Sequence, residues 1–133
     1  MKFIFDTNIA IYFLDGALTP TGFEFVIETL KTKQSALSLI SKIEMLGFQF
    51  PNLLAEQKAV KFAASLPVLP LTDAVADKAI EIRKARKIKI GDAIIAATAL
   101  VHNLTVVTRN EKDFIGLAGL SLVNPFSGVA SFF

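Results

Sequence analysis

Cysteine and tryptophan are absent, histidine occurs once (His102) and tyrosine once (Tyr12). Without cysteine there is no disulfide scaffold, no thiolate zinc site and no thiol nucleophile, and one imidazole cannot build zinc sites that need several. The missing cysteines fit a reducing, cytoplasmic setting. A surplus of one charge is lacking too: 14 basic residues against 12 acidic leave a net charge of +2, too mild to mark a nucleic-acid surface or a disordered tail by itself. No GxxxxGK[ST], GxGxxG or HExxH segment occurs, which removes the usual support for nucleotide P-loops, dinucleotide sites and zincins.

What is present is apolar. With 133 residues, 53% of them hydrophobic, the chain fits one domain over residues 1–133 and leaves no room for two independent cores. A mean hydropathy of +0.54 raises the question of a membrane. The opening MKFIFDTN places Asp6 after a short apolar run, too short for the apolar region of an export signal. From Phe114 to Phe133 there is no charge, but Gly116, Gly119, Asn124, Pro125, Ser127 and Gly128 interrupt the stretch. Asn-Pro is a turn signal rather than helix interior, so we expect a last strand and an apolar tail from about residue 124, and no membrane anchor.

Along the chain, KFIF reads as a strand halted at Asp6-Thr7-Asn8, followed by a helix that ends near Gly16. Phe23, Val26, Ile27 and Leu30 fall at helical spacing, which predicts a helix from about Pro20 to Lys31. Ala36 to Ile40 reads as a buried strand, Ser41 as the start of a helix bounded by Pro51, and Leu53 to Ser65 as another helix. Val68 to Leu71 is an edge strand or connector, because Pro70 cannot serve a central one. Asp73 to Lys87 is an amphipathic helix. After Gly91-Asp92, AIIAATALV is apolar all round and predicts a buried central helix. Thr105–Val107 and Ser121–Val123 close the set. Strands alternating with helices predict an α/β fold: a central, mostly parallel sheet with helices on both faces.

Among the acidic residues, Asp6 ends the first strand, Glu44 follows the second, Asp92 opens the buried helix and Asp113 lies beyond Val107. In a parallel sheet the strand C-termini share one edge, and ligands bind in the crevice there. Each acid also has a plain structural use: Asp6 and Asp92 as N-caps, Ser41 to Glu44 as a capping box, Asp113 as a turn cap. As a set, four converging carboxylates would repel one another unless a cation or protons neutralise them. With no cysteine and no second histidine, oxygen ligation points to Mg²⁺ or Mn²⁺. A metal bound by Asp6 and Asp92 could acidify a water and neutralise a phosphate, with Glu44 or Asp113 orienting that water or holding a second ion.

From Phe3 to about Phe114 the chain resembles the PIN-domain ribonucleases, and within them the VapC-type toxins of toxin–antitoxin pairs. The resemblance is carried by FIFDTN with Asp6, SKIEMLG with Glu44, GDAIIAATA with Asp92 and TRNEKDF with Asp113. It implies a metal-dependent endoribonuclease acting on RNA, a homodimer, and silencing by a cognate antitoxin. It also implies supporting roles for Asn8, Thr108 and Asn110, orienting the acids or touching phosphate; turn chemistry is their alternative use. A PIN-like module that binds RNA or protein without cleaving is the non-enzymatic alternative. Aspartyl-phosphate phosphatases and receiver domains fit less well, since the chain has Asp6-Thr7-Asn8 where they pair acids.

The densest basic segment, Lys78, Arg83, Lys84, Arg86, Lys87 and Lys89, leads into Gly91-Asp92 and is a candidate grip on RNA backbone; cations placed at a helix C-terminus are the alternative. Arg109 is a further candidate cation. Phenylalanine contributes 12 residues, and Phe23, Phe25, Phe48, Phe50, Phe126, Phe132 and Phe133 exceed the needs of a small core, which leaves some for a partner surface.

Overall fold

Alternation within very short strands divides the core in two. Successive strand side chains point to opposite faces, so in β1 (Phe3–Phe5) Phe3 and Phe5 enter one apolar cluster and Ile4 the other. The same split separates Leu37 from Ala36 in β2 (Ser35–Ser38) and Val107 from Val106 in β4 (Thr105–Val107). The computed structural model describes residues 1–127.

Between the strands lie α1 (Thr7–Leu14), α2 (Pro20–Lys31), α3 (Leu39–Leu46), α4 (Leu53–Ala64), α5 (Asp73–Ala85) and α6 (Ile90–His102). β3 (Val68–Leu69) and β5 (Ser121–Val123) complete a five-stranded sheet in the order β3-β2-β1-β4-β5. Every neighbouring pair is parallel, with Phe3 opposite both Ser35 and Thr105. β3 takes the edge, as Pro70 requires. One cluster packs α5 and α6 against the sheet; the other brings in side chains of α1, α2, α3 and α4. Helices therefore cover both faces, as expected. α6 is the apolar centre of its side: Ala93, Ala96, Ala97 and Ala99 are wholly buried, and small side chains let the helix sit close to the sheet.

Helix ends differ from the sequence reading where a side chain decides the boundary. β2 stops at Ser38 because its hydroxyl accepts the Ser41 N–H at 3.2 Å and so caps α3. Ser41 therefore lies inside the helix, not at its start, and Ser41 and Glu44 do not form a capping box. α1 begins at Thr7, directly after Asp6, and Asp6 makes no side-chain cap bond. α5 ends at Ala85 rather than Lys87, since Arg86 is extended. α6 closes on Asn103 in the left-handed region at φ 56°, a conformation asparagine tolerates.

Over its described residues, 114–127, the uncharged C-terminal stretch holds the end of a turn, β5 and the turn at Pro125 rather than a helix, and among the described residues no helix is long and apolar enough to cross a membrane. Of the surplus phenylalanines, Phe25 is buried, Phe50 and Phe126 are half-buried, and Phe23 and Phe48 are exposed. Phe132 and Phe133 lie outside the described residues.

Because Phe5 is fully enclosed, Phe5→Ala should lower stability by about 3–5 kcal/mol. Urea unfolding should move to a lower midpoint with an unchanged slope.

Candidate functional site

All strands run the same way, so Phe5, Ser38, Val107 and Val123 end at one edge of the sheet, and whatever follows them is delivered there. Asp6 follows β1, and its N–H donates to the Val107 carbonyl at 2.9 Å. Glu44 comes from α3 after β2. Thr108, Asn110 and Asp113 come from the β4–β5 connection, where Glu111–Asp113 form a 3₁₀ turn. α6 precedes β4 and runs back along the sheet, which brings its N-terminus, with Asp92 in the first turn, to the same edge.

Asp6 is buried, with the side chain held by a short relay. The Thr108 hydroxyl, itself wholly buried, donates to Asp6 Oδ2 at 2.9 Å and accepts the Asn110 N–H at 3.0 Å. On the opposite side, the Thr7 hydroxyl donates to Glu44 Oε1 at 2.8 Å and lies 2.9 Å from the Ser41 hydroxyl, which is 3.1 Å from that of Ser38. Glu44 is exposed, yet its carboxylate reaches across to α6. A side chain at Gly91 would bring a Cβ within 3.2 Å of Glu44 Oε2. Glycine therefore admits the carboxylate beside Asp92. Asn110 Nδ2 donates to Asp113 Oδ2.

The four acids act on one another. Asp6 is raised above the usual carboxylate range chiefly by burial, with Glu44 and Asp113 adding repulsion while the Thr108 hydroxyl and the Thr7 N–H work the other way. Asp92 is pushed up to about 6, first by burial, then by Asp6, Asp113 and Glu44, with Lys89 opposing. Among the described residues no three of these carboxylates already close on a single point. The donor set still suits a hard cation: oxygen atoms only, a surplus of negative charge, and two acids that burial and mutual repulsion shift toward their neutral forms, with Lys89 offsetting this only in part at Asp92. A cation that keeps most of its waters requires only one or two direct carboxylates.

Beside Asp92 and Asp113 a cleft of about 370 Å³ is lined by Arg83, Arg86, Lys87, Ile88 and Lys89. Of the basic run, Lys78 is instead paired with Glu81 at 3.1 Å, and Lys84 does not line the cleft. Arg86 is already engaged, donating to the Ile115 carbonyl at 2.5 Å and to that of Lys112 at 3.2 Å. The Arg109 guanidinium lies 4.2 Å from the Phe126 ring centre and 5.6 Å from that of Tyr12, a cation–π contact on the C-terminal segment. Asn8, exposed in the first turn of α1, makes no side-chain hydrogen bond among the described residues.

Sequence reasoning missed Thr7, Ser38 and Ser41, whose hydroxyls link Asp6's neighbour to Glu44. Their type carried no signal, because serine and threonine at helix starts read first as caps. It also missed Asn124, which donates to Glu111 Oε2 at 3.2 Å and to the Arg109 carbonyl at 3.4 Å, fastening the connection that bears Asp113.

Asp92 titrates higher in the fold than its ordinary 3.8, so its neutral form is the one folding favours. That contribution is complete below about pH 4 and lost as pH rises through about 6. In metal-free buffer at pH 7.5, Asp92→Asn should therefore be more stable than the parent by about 1–2 kcal/mol, allowing for partial solvation. The difference should vanish toward pH 4; urea unfolding at both pH values measures it, and an equal difference at each would refute the crowding.

The profile of the PIN domain family matches residues 3–120. Ribonuclease VapC10 of Mycobacterium tuberculosis is 30% identical over 115 residues, covering 82% of this chain and 83% of that protein. Among solved structures, a toxin–antitoxin complex from Klebsiella pneumoniae superimposes with a TM-score of 0.72 at 32% identity, over 94% of this chain and 98% of that one. VapBC2 from Rickettsia felis, bound to a DNA fragment from its promoter, does so with a TM-score of 0.79 at 25% identity, over 93% and 98%. With the strand order, the crevice and these matches in agreement, the chain belongs to the PIN domain family.

Proposed function

We propose that this chain is a metal-dependent endoribonuclease that hydrolyses RNA phosphodiester bonds, and that it is the toxin of a toxin–antitoxin pair. The observation that carries the reading is the gathering of Asp6, Glu44, Asp92 and Asp113 at one sheet edge, where Asp6 and Asp92 hold protons more tightly than isolated carboxylates do. A ribonuclease relative and toxin–antitoxin structures of the same fold support it.

In this reading Asp6 and Asp92 hold Mg²⁺ or Mn²⁺. Bound there, the ion supplies positive charge opposite the scissile phosphate and acidifies a water. Thr108 keeps the Asp6 carboxylate oriented. Glu44, fixed by Thr7, and Asp113, fixed by Asn110, orient the attacking water or share a second ion. Asn8 is free to meet a phosphate oxygen. The cleft cations Arg83, Lys87 and Lys89 offset the charge of the RNA backbone as it approaches the acids. No protein nucleophile is required.

The partners in this reading are RNA, a cognate antitoxin and a second copy of the chain, in the cytoplasm. An apolar groove of about 310 Å³ lined by Ile11, Leu14, Met45, Phe48 and Leu54 gives the antitoxin an apolar seat. The toxin–antitoxin complexes of the same fold support an antitoxin partner.

Purified protein free of antitoxin should cleave structured RNA with Mg²⁺ or Mn²⁺ and lose that activity on chelation. Asp6→Asn and Asp92→Asn should each reduce the rate at least about 100-fold. Cleavage that survives chelation or both substitutions excludes the metal mechanism, and RNA binding without cleavage favours a non-catalytic module. Replacing Lys87 and Lys89 together by alanine should weaken RNA binding and flatten its dependence on log salt by about one to two units; affinity unchanged across salt rejects the cleft as an RNA grip.

A further inference from the structure

Arg86 stands apart from its basic neighbours. Arg83, Lys87 and Lys89 line the same cleft with no side-chain bond among the described residues, whereas the Arg86 guanidinium is committed to backbone carbonyls 26 and 29 residues further along the chain. Those carbonyls, of Lys112 and Ile115, flank Asp113 and Phe114. Neither accepts a backbone N–H among the described residues, so Arg86 supplies the donors they otherwise lack. Its backbone, extended at φ −160° where α5 ends, turns the chain out of the helix there. A planar guanidinium can serve two acceptors at once, which a single ammonium does less well.

The connection between β4 and β5 is also attached to the body by buried Phe114, by Leu117 and Leu120 packed against the α5–α6 core, and by Asn124 near its start. Asp113 lies between those fastenings, half-exposed, with Asn110 as its side-chain partner. We propose that Arg86 is a positioning residue that holds the Asp113 segment over the crevice, and is not one of the cations that meet RNA. The bracing stands by itself; its consequence for a bound cation rests on the nuclease reading above.

The test separates the two. In metal-free and RNA-free protein, Arg86→Ala should speed amide exchange at residues 113–117 at least about tenfold, with Arg86→Lys intermediate. Mn²⁺ affinity, read by electron paramagnetic resonance, should fall about three- to tenfold in Arg86→Ala, and the same change on an Asp113→Asn background should add nothing. RNA binding in chelator should keep its salt slope in Arg86→Ala. Unchanged exchange overturns the proposal, as does a slope reduced by about one unit, the mark of a lost phosphate contact. Should Arg86→Ala fail to fold, Arg86→Lys is read by the same measurements: a phosphate contact would survive it with exchange unchanged, and bracing would not. Exchange decides the matter even if the protein cleaves no RNA.

Discussion

Negative charge concentrated at one edge of a parallel sheet is the constraint from which the rest of the site follows. The sheet delivers Asp6 and the Thr108–Asp113 connection to the same place, and the helices that cross between strands add Glu44 and Asp92. Burial and repulsion together make the charged forms of Asp6 and Asp92 costly, a cost that arriving positive charge would relieve. The amides and hydroxyls around the acids keep them in place without neutralising them.

Those supports come from every side of the crevice. Thr108 faces Asp6 from just beyond β4, Thr7 faces Glu44 from α1 with the Ser41 and Ser38 hydroxyls behind it, and Asn110 faces Asp113 from the same turn. Gly91 contributes by having no side chain, since a Cβ would meet the Glu44 carboxylate. Positive charge is kept to the rim: Arg83, Lys87 and Lys89 line the cleft, Arg86 is bound to carbonyls, and Arg109 rests on Phe126 and Tyr12. The centre is left acidic while its approach is basic, which under the proposed reading would draw a polyanion toward the acids.

Much of the fold was legible because its signals are local. Pro20 at a helix start, Pro70 beside an edge strand and the unbroken apolar circumference of α6 each reflect a rule that acts within a few residues. Boundaries were harder to read. Whether Ser38 or Ser41 caps α3 depends on which hydroxyl faces the free N–H groups, and the serine that does not cap is turned instead toward Thr7. The basic run looked uniform as sequence, yet its members part ways: Lys78 pairs within its helix, Lys84 stays outside the cleft, Arg86 is bonded to loop carbonyls, and Arg83, Lys87 and Lys89 line the cleft.

By itself the sequence determined the alternation of strands and helices, the exclusion of thiol and multi-histidine chemistry, and the four acids worth asking about, since these depend on residue type and spacing. Only the tertiary structure decided that Glu44 approaches Asp92 across Gly91, that Thr108 rather than a nearer residue holds Asp6, and that Arg86 is occupied. The physical reason is range. Periodicity and capping are settled between neighbours along the chain, whereas Thr108 and Asp6 are separated by 102 residues and meet only because β1 and β4 pair in register.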